Sequence, residues 1–182
     1  MKEIRWHGRG GHGGFTAARL LGMAASIYGQ SYAQAFPSFG PERRGAPVLG
    51  FTRIDSKPIY DHSKVYTCDY VVVLDETLLE AVNVREGLKP GGLLIINSIR
   101  DPKWFATDDT FNIHTIDATS IALEILGQPV TNTTMLGALT AVSDLVSLDA
   151  VIKSIERTMP SDIQAKNKKA VETAYYRMKE GR

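Results

Sequence analysis

"GRGGHGG" (Gly8 to Gly14) carries three glycines, Gly8, Gly10 and Gly13, in the spacing G-x-G-x-x-G. The stretch follows an alternating segment, "EIRWH" (Glu3 to His7), that predicts a short strand. It precedes Phe15 to Tyr28, which is apolar at helical spacing and ends before Gly29. Glycines between a strand and a helix let a ligand reach backbone N–H groups at the positive end of the helix, which suits phosphate. The alternative is a tight strand-to-helix turn packed against the protein itself. Arg9 and His12 project from the loop and could add positive charge beside an anion.

A second loop could serve the same chemistry. "FPSFGPERRGAP" (Phe36 to Pro47) holds two aromatic residues, three prolines and the pair Arg43–Arg44. Prolines and glycines fix a shape, and arginines offer planar forks that match phosphate or carboxylate. "SYAQAF" (Ser31 to Phe36) predicts a second strand. If that strand lies beside the first, the two loops share one crevice at the carboxyl ends of the strands. The competing reading is a surface loop whose Glu42 and arginines pair with each other or with a partner chain.

Other chemistries fail on specific absences. A dinucleotide dehydrogenase expects an acidic residue near the end of the second strand, yet no Asp or Glu occurs between Glu3 and Glu42. No Gly-Lys-Ser/Thr follows the glycines, which excludes a P-loop. Asp75 and Glu76 close a buried strand, but no nucleophile or base completes a catalytic set with them. They are expected to cap the next helix, with Asp75 or Thr77 as N-cap. His7, His12, His62 and His114 lack metal-ligand spacing. Cys68 is the single cysteine, so this chain alone cannot hold a disulfide or an iron–sulfur cluster. No catalytic and no metal-binding residue is assigned.

The elements that must position these loops read as a single domain over residues 1–182. "VLGFTRI" and "PIY" suggest a hairpin around Asp55 to Lys57. "DYVVVLD" (Asp69 to Asp75) is a β-branched run typical of a strand buried on both faces. A helix from about Leu78 to Glu86, the turn "KPGG" and the strand "LLIIN" (Leu93 to Asn97) follow. "HTID" (His114 to Asp117) predicts a strand, and "TSIALEILG" a helix capped by Thr119 or Ser120, with Asp117 in a similar capping position. "NTTMLGAL" opens the helix Thr133 to Leu145, with Asn132 or Thr133 as cap; Leu148 to Met159 and Ile163 to Lys179 are the last two helices. Strands alternating with helices predict an α/β fold: three layers, α/β/α, around a mostly parallel but mixed Rossmann-like sheet, with a hairpin and a helical C-terminal third. The net charge of +1 argues against a general nucleic-acid binder, and no run approaches a membrane span. A cytoplasmic protein is expected.

Together, "IRWHGRGGHGG", "QAFPSFGPERRGAPV", "VVVLDETLL", "PGGLLIIN" and "NTTMLGAL" resemble one family, the gamma subunits of 2-oxoacid:ferredoxin oxidoreductases of the pyruvate or 2-oxoisovalerate type. The resemblance runs from Ile4 to Leu145, with weaker helical agreement beyond. It implies a complex that decarboxylates a 2-oxoacid on thiamine diphosphate, reduces ferredoxin through [4Fe-4S] clusters and delivers the acyl group to coenzyme A. It also implies that thiamine diphosphate, magnesium and the clusters sit on alpha, beta and delta partner subunits. This chain would then help to hold coenzyme A, with phosphates near Gly8, Arg9, Gly10, Gly11 and Gly13 and further contacts from Ser38, Arg43 and Arg44. The isolated chain would catalyse nothing. A purely structural subunit and an independent nucleotide-binding protein are the alternatives.

Overall fold

The computed structural model describes residues 1–38, 45–107 and 109–181. Alternation in the first segment does what the pattern predicts. Strand β1 (Lys2–Arg9) sends Ile4 and Trp6 into one core and turns Arg5 and His7 to the other face. It is joined by β2 (Tyr32–Pro37), β3 (Pro47–Asp55), β4 (Cys68–Val73), β5 (Leu88–Asn97) and β6 (Asn112–Ile116). The sheet order is β2-β3-β1-β4-β5-β6. β1, β4, β5 and β6 pair in parallel, and β3 runs antiparallel to both of its neighbours. The sheet is therefore mixed.

The expected turn "KPGG" (Lys89 to Gly92) lies inside β5, and two further local expectations change. The hairpin is not at Asp55 to Lys57. β3 pairs with β2 from Tyr32↔Asp55 to Pro37↔Gly50, so the hairpin partner lies before β3. Pro58 to Tyr60 is not a strand, and the backbone nearby is held by Arg53, which donates to the carbonyls of Asp61 and Ser63. Second, the helix from Leu78 shrinks to a single turn, α2 (Leu78–Ala81). Val82 is already extended, and Asn83 Oδ1 accepts the Arg85 N–H at 3.2 Å, which closes a turn instead of a helix.

Helix α1 (Gly14–Met23) continues through a π-helical turn at Ala24–Tyr28 and stops at Gly29. It lies close on β3 because Gly50 leaves room: a Cβ there would sit 3.4–3.5 Å from Gly14 O, Ala18 Cβ and Phe15 Cα. The remaining helices are α3 (Ala118–Leu126), α4 (Asn132–Val142), α5 (Leu148–Thr158) and α6 (Ser161–Glu180). The α3 cap is Asp117, whose Oδ1 accepts the Ser120 N–H at 2.9 Å, while Thr119 Oγ1 accepts from Asn97 instead. The α4 cap residue is Thr131, one position before the expected pair.

The larger core joins Ile4, Trp6, Val72 and Ile95 of the sheet to α1 and α3–α6. The opposite face buries Phe51, Val71, Val73, Leu94 and Ile96 under α2 and its flanking segments. That layer is thin, with α2 a single helical turn, yet Arg5 and His7 of β1 are buried beneath it. Among the described residues, no helix is long and apolar enough to cross a membrane.

Candidate functional site

β2 does not lie beside β1; β3 is inserted between them. The two loops still meet, because β3 is antiparallel and starts where β1 ends. Pro47 pairs with Arg9. Gly10 N–H donates to Ala46 O at 2.9 Å, and Gly45 N–H donates to Gly10 O at 3.2 Å. The crevice forms through the start of β3, and both loops sit at the carboxyl end of β1.

Gly13 answers what comes close to the glycine backbone. It adopts φ 72°, ψ 23° at the start of α1, a left-handed conformation that favours glycine. A Cβ there would lie 2.4 Å from Asn132 Nδ2. Asn132 opens α4 and donates to Gly13 O at 3.4 Å. The space at Gly13 is therefore occupied by another part of the chain. Gly11 also has a positive φ, 93°, but a Cβ would meet nothing within 4 Å. Gly8 has only ordinary contacts, with Leu74 at 3.9 Å.

Arg9 ties three elements together. Its Nε donates to Asp75 Oδ2 at 2.8 Å, Nη1 to Gly45 O at 3.0 Å, and Nη2 to Thr77 Oγ1 at 2.6 Å. A guanidinium has five N–H groups. One on each Nη is left without an acceptor among the described residues. Burial raises the Asp75 carboxyl, but hydrogen bonds from Thr77 and Arg9 outweigh it and hold its pKa below the ordinary value. Asp75 Oδ1 accepts from the Thr77 N–H at 3.0 Å and from its hydroxyl at 2.7 Å, while the N-cap position of α2 is Thr77, the other residue expected for it, with no side-chain capping bond. Ser38 is exposed, and its N–H donates to Leu49 O at 2.8 Å. Arg43 and Arg44 lie outside the described residues.

Beyond Asp75 the crevice continues past the ends of β4, β5 and β6 as a cavity of about 460 Å³. Asp75, Glu76 and Asp117 line it together with His12. Three carboxylates there repel an anion, so this cavity does not suit phosphate. Asn97 organises this end of the sheet. Its Nδ2 donates to Leu74 O and Thr119 Oγ1, each at 2.9 Å, and its Oδ1 accepts the Ala118 N–H at 3.0 Å. The Ser98 hydroxyl donates to Glu76.

One group had no assigned role in the sequence: the buried pair Arg5 and His7, 7% and 5% exposed. The visible signal was two polar residues at alternate positions facing the same side of β1. Burial, then the charge of Arg5, push the His7 pKa from 6.5 down to about 3. The unfolded chain protonates this histidine near pH 6.5, while the folded chain stays neutral to about pH 3. Between those limits the unfolded state binds more protons. Stability therefore falls as pH drops through that window, by up to about 1.4 kcal/mol per pH unit. Urea unfolding at pH 7 and pH 5 is expected to show the chain losing roughly 1–2 kcal/mol more than its His7→Gln variant. Equal losses would remove His7 from the account.

The comparisons with known proteins agree on one family. The sequence model of the family described as Pyruvate ferredoxin/flavodoxin oxidoreductase matches residues 3–176. A pyruvate synthase subunit PorC of Methanothermobacter marburgensis is 52% identical over 179 residues, covering 98% of each chain. A pyruvate/ketoisovalerate oxidoreductases common subunit gamma of Thermococcus kodakarensis is 48% identical over 178 residues, covering 96% of each. Among solved structures, the pyruvate oxidoreductase subunit PORC of Thermotoga maritima superposes with a TM-score of 0.82 at 41% identity, over 96% of this chain and 95% of that one. A 2-oxoglutarate:ferredoxin oxidoreductase of Magnetococcus marinus shares the fold at 18% identity and a TM-score of 0.80, and this chain matches 31% of it.

Proposed function

We propose, from the premise that this chain belongs to the pyruvate ferredoxin/flavodoxin oxidoreductase family as a gamma subunit, that its part in the complex is to hold coenzyme A. The reaction would turn a 2-oxoacid, coenzyme A and oxidised ferredoxin into acyl-coenzyme A, carbon dioxide and reduced ferredoxin. The names of the relatives favour pyruvate as the oxoacid, with 2-oxoisovalerate next. Thiamine diphosphate with magnesium supplies the decarboxylation chemistry, and [4Fe-4S] clusters carry the electrons. With one cysteine, buried at Cys68, this chain cannot supply the four thiolates of such a cluster, so alpha, beta and delta partners would carry those groups.

The observation that carries the reading is Arg9. It is fixed by Asp75, Gly45 and Thr77 at the end of β1, and among the described residues two of its N–H groups have no acceptor and could meet an oxyanion. The glycine loop brings Gly8, Gly10, Gly11 and Gly13 beside it, and Ser38 with Arg43 and Arg44 of the facing loop would complete the phosphate contacts. A subunit that only positions a long cofactor still accelerates acyl transfer, because it raises the effective concentration of the thiol. No acid, base or nucleophile of this chain is required.

A purely structural role is favoured by one specific contact, the packing of Asn132 against Gly13. Kinetics of the assembled complex separate the two readings. An arginine–phosphate hydrogen bond contributes about 1.5–3 kcal/mol. The double variant R43A/R44A is therefore expected to raise the KM for coenzyme A about tenfold or more, with the KM for pyruvate unchanged. An unchanged coenzyme A KM in an intact complex leaves the structural role standing.

A further inference from the structure

A second cavity, of about 350 Å³, lies on the thin face of the sheet, between β1, the start of β3 and the segment after α2. Arg5 and His7 line it, and both are more than nine-tenths buried. The bonds of Arg5 are specific. Its Nε donates to His7 Nε2 at 3.0 Å, and its Nη2 donates to the carbonyls of Val84 at 3.0 Å and Glu86 at 2.5 Å. That uses three of five N–H groups. The two on Nη1 have no acceptor among the described residues. Because His7 Nε2 accepts, the proton of the neutral ring is on Nδ1, and it too has no acceptor among them.

Among the described residues the charge also has no ion-pair partner. Glu86 borders the cavity, but its backbone carbonyl, not its carboxylate, meets the guanidinium. The Nη1 end of Arg5 opens on the cavity and is not sealed in the core, since among the described residues the buried side-chain atom without a partner is Thr134 Oγ1; an anion entering the cavity gains a charge-assisted hydrogen bond there. Pro47, Leu49, Leu78 and Val82 make one wall apolar, while Ser38, Asn83 and Glu86 border the rest. One cation, one neutral donor and a single apolar wall suit a single negative charge on a short hydrocarbon body, whose tail lies against Pro47, Leu49, Leu78 and Val82 and away from Glu86. A phosphate dianion would leave its second charge facing that wall.

We propose that this cavity binds a small monocarboxylate with a short apolar tail, its carboxylate held by Arg5 Nη1 and His7 Nδ1. The site is separate from the coenzyme A reading. It uses Arg5 and His7 rather than Arg9, Arg43 and Arg44, although Gly8 and Ser38 border it.

The test uses the full chain labelled with nitrogen-15, in which the ring nitrogens of His7 are followed by NMR. Isobutyrate, inorganic phosphate and coenzyme A are separate probes. Isobutyrate is expected to move the His7 signals with a Kd on the order of 1 mM, and phosphate at the same concentration is not. Arg5→Met is expected to abolish the response. Since that change also releases the backbone near Val84, Val82→Trp is the second variant: it fills the cavity from its apolar wall, leaves Arg5 in place and should abolish the response as well. His7 signals that stay unmoved by isobutyrate at about 20 mM overturn the proposal. So does an equal response to phosphate, or a response to coenzyme A alone. Silence toward coenzyme A supports the separate site and leaves the coenzyme A reading to the KM of the complex.

Discussion

Trp6→Ala is expected to destabilise the fold by about 3–5 kcal/mol. Trp6 is fully buried and is among the largest side chains in the interior. Its removal costs the transfer energy of an indole plus the cavity left in a layer already closed by small residues such as Ala17 and Ala18. A polar chain breaks as well. The indole N–H donates to Thr52 Oγ1 at 3.1 Å, and that hydroxyl donates to Ala18 O at 3.0 Å. Trp6 thus links β1 to β3 and β3 to α1, the elements that hold the glycine loop at both ends. Trp6→Phe keeps most of the apolar volume and loses the hydrogen bond, so its cost should be nearer 1–2 kcal/mol, by the usual range for one buried bond and a small void. Denaturant unfolding of both variants measures this order. Near-equal costs would mean that the hydrogen-bonded chain, not the volume, dominates.

Arg53→Met is the second large effect, also about 3–5 kcal/mol, and it comes from charge rather than volume. Arg53 is 1% exposed on β3. Its Nε donates to Glu3 Oε1 at 2.9 Å, and its Nη1 and Nη2 donate to the carbonyls of Asp61 and Ser63, each at 2.9 Å. The guanidinium also lies 5.2 Å from the centroid of the Phe36 ring. Methionine keeps much of the stem's volume but strands the largely buried Glu3 carboxylate and two carbonyls. The loss through Glu3 is specific, and the double variant R53M/E3Q should recover part of it. If adding E3Q recovers nothing, the cost lies in the carbonyls of the 61–63 segment. Either way that segment is expected to become the first site of proteolysis, because its anchors to the sheet are gone.

The same arginine explains a misreading. Pro58 to Tyr60 has strand-forming residues, and the sequence predicts a hairpin there. Arg53 instead captures the following carbonyls, and Tyr60 is left 82% exposed. After Leu78 the local Asn83 turn ends the helix, and Arg5 adds a comparable capture by taking the carbonyls of Val84 and Glu86 beyond it. In both places a buried guanidinium from another part of the chain takes the backbone carbonyls, and that contribution is not contained in a window of neighbouring residues.

What the sequence determined by itself is local and periodic. Alternation defined β1, the β-branched run defined β4, and apolar spacing defined α1 and α3–α6, because those patterns follow from which faces must be buried. The glycine spacing marked the turn after β1, and the combined motifs marked the family. Tertiary structure decided the rest. Placing β3 between β1 and β2 turned an expected side-by-side pair into a crevice closed through an antiparallel strand. It set Asn132 against Gly13 across 119 positions and Asp75 against Arg9 across 66. It also left Arg5 with two backbone carbonyls and, among the described residues, no carboxylate. Such pairings depend on which strands become neighbours, and that is settled by packing of the whole sheet against its helices, not by any one segment.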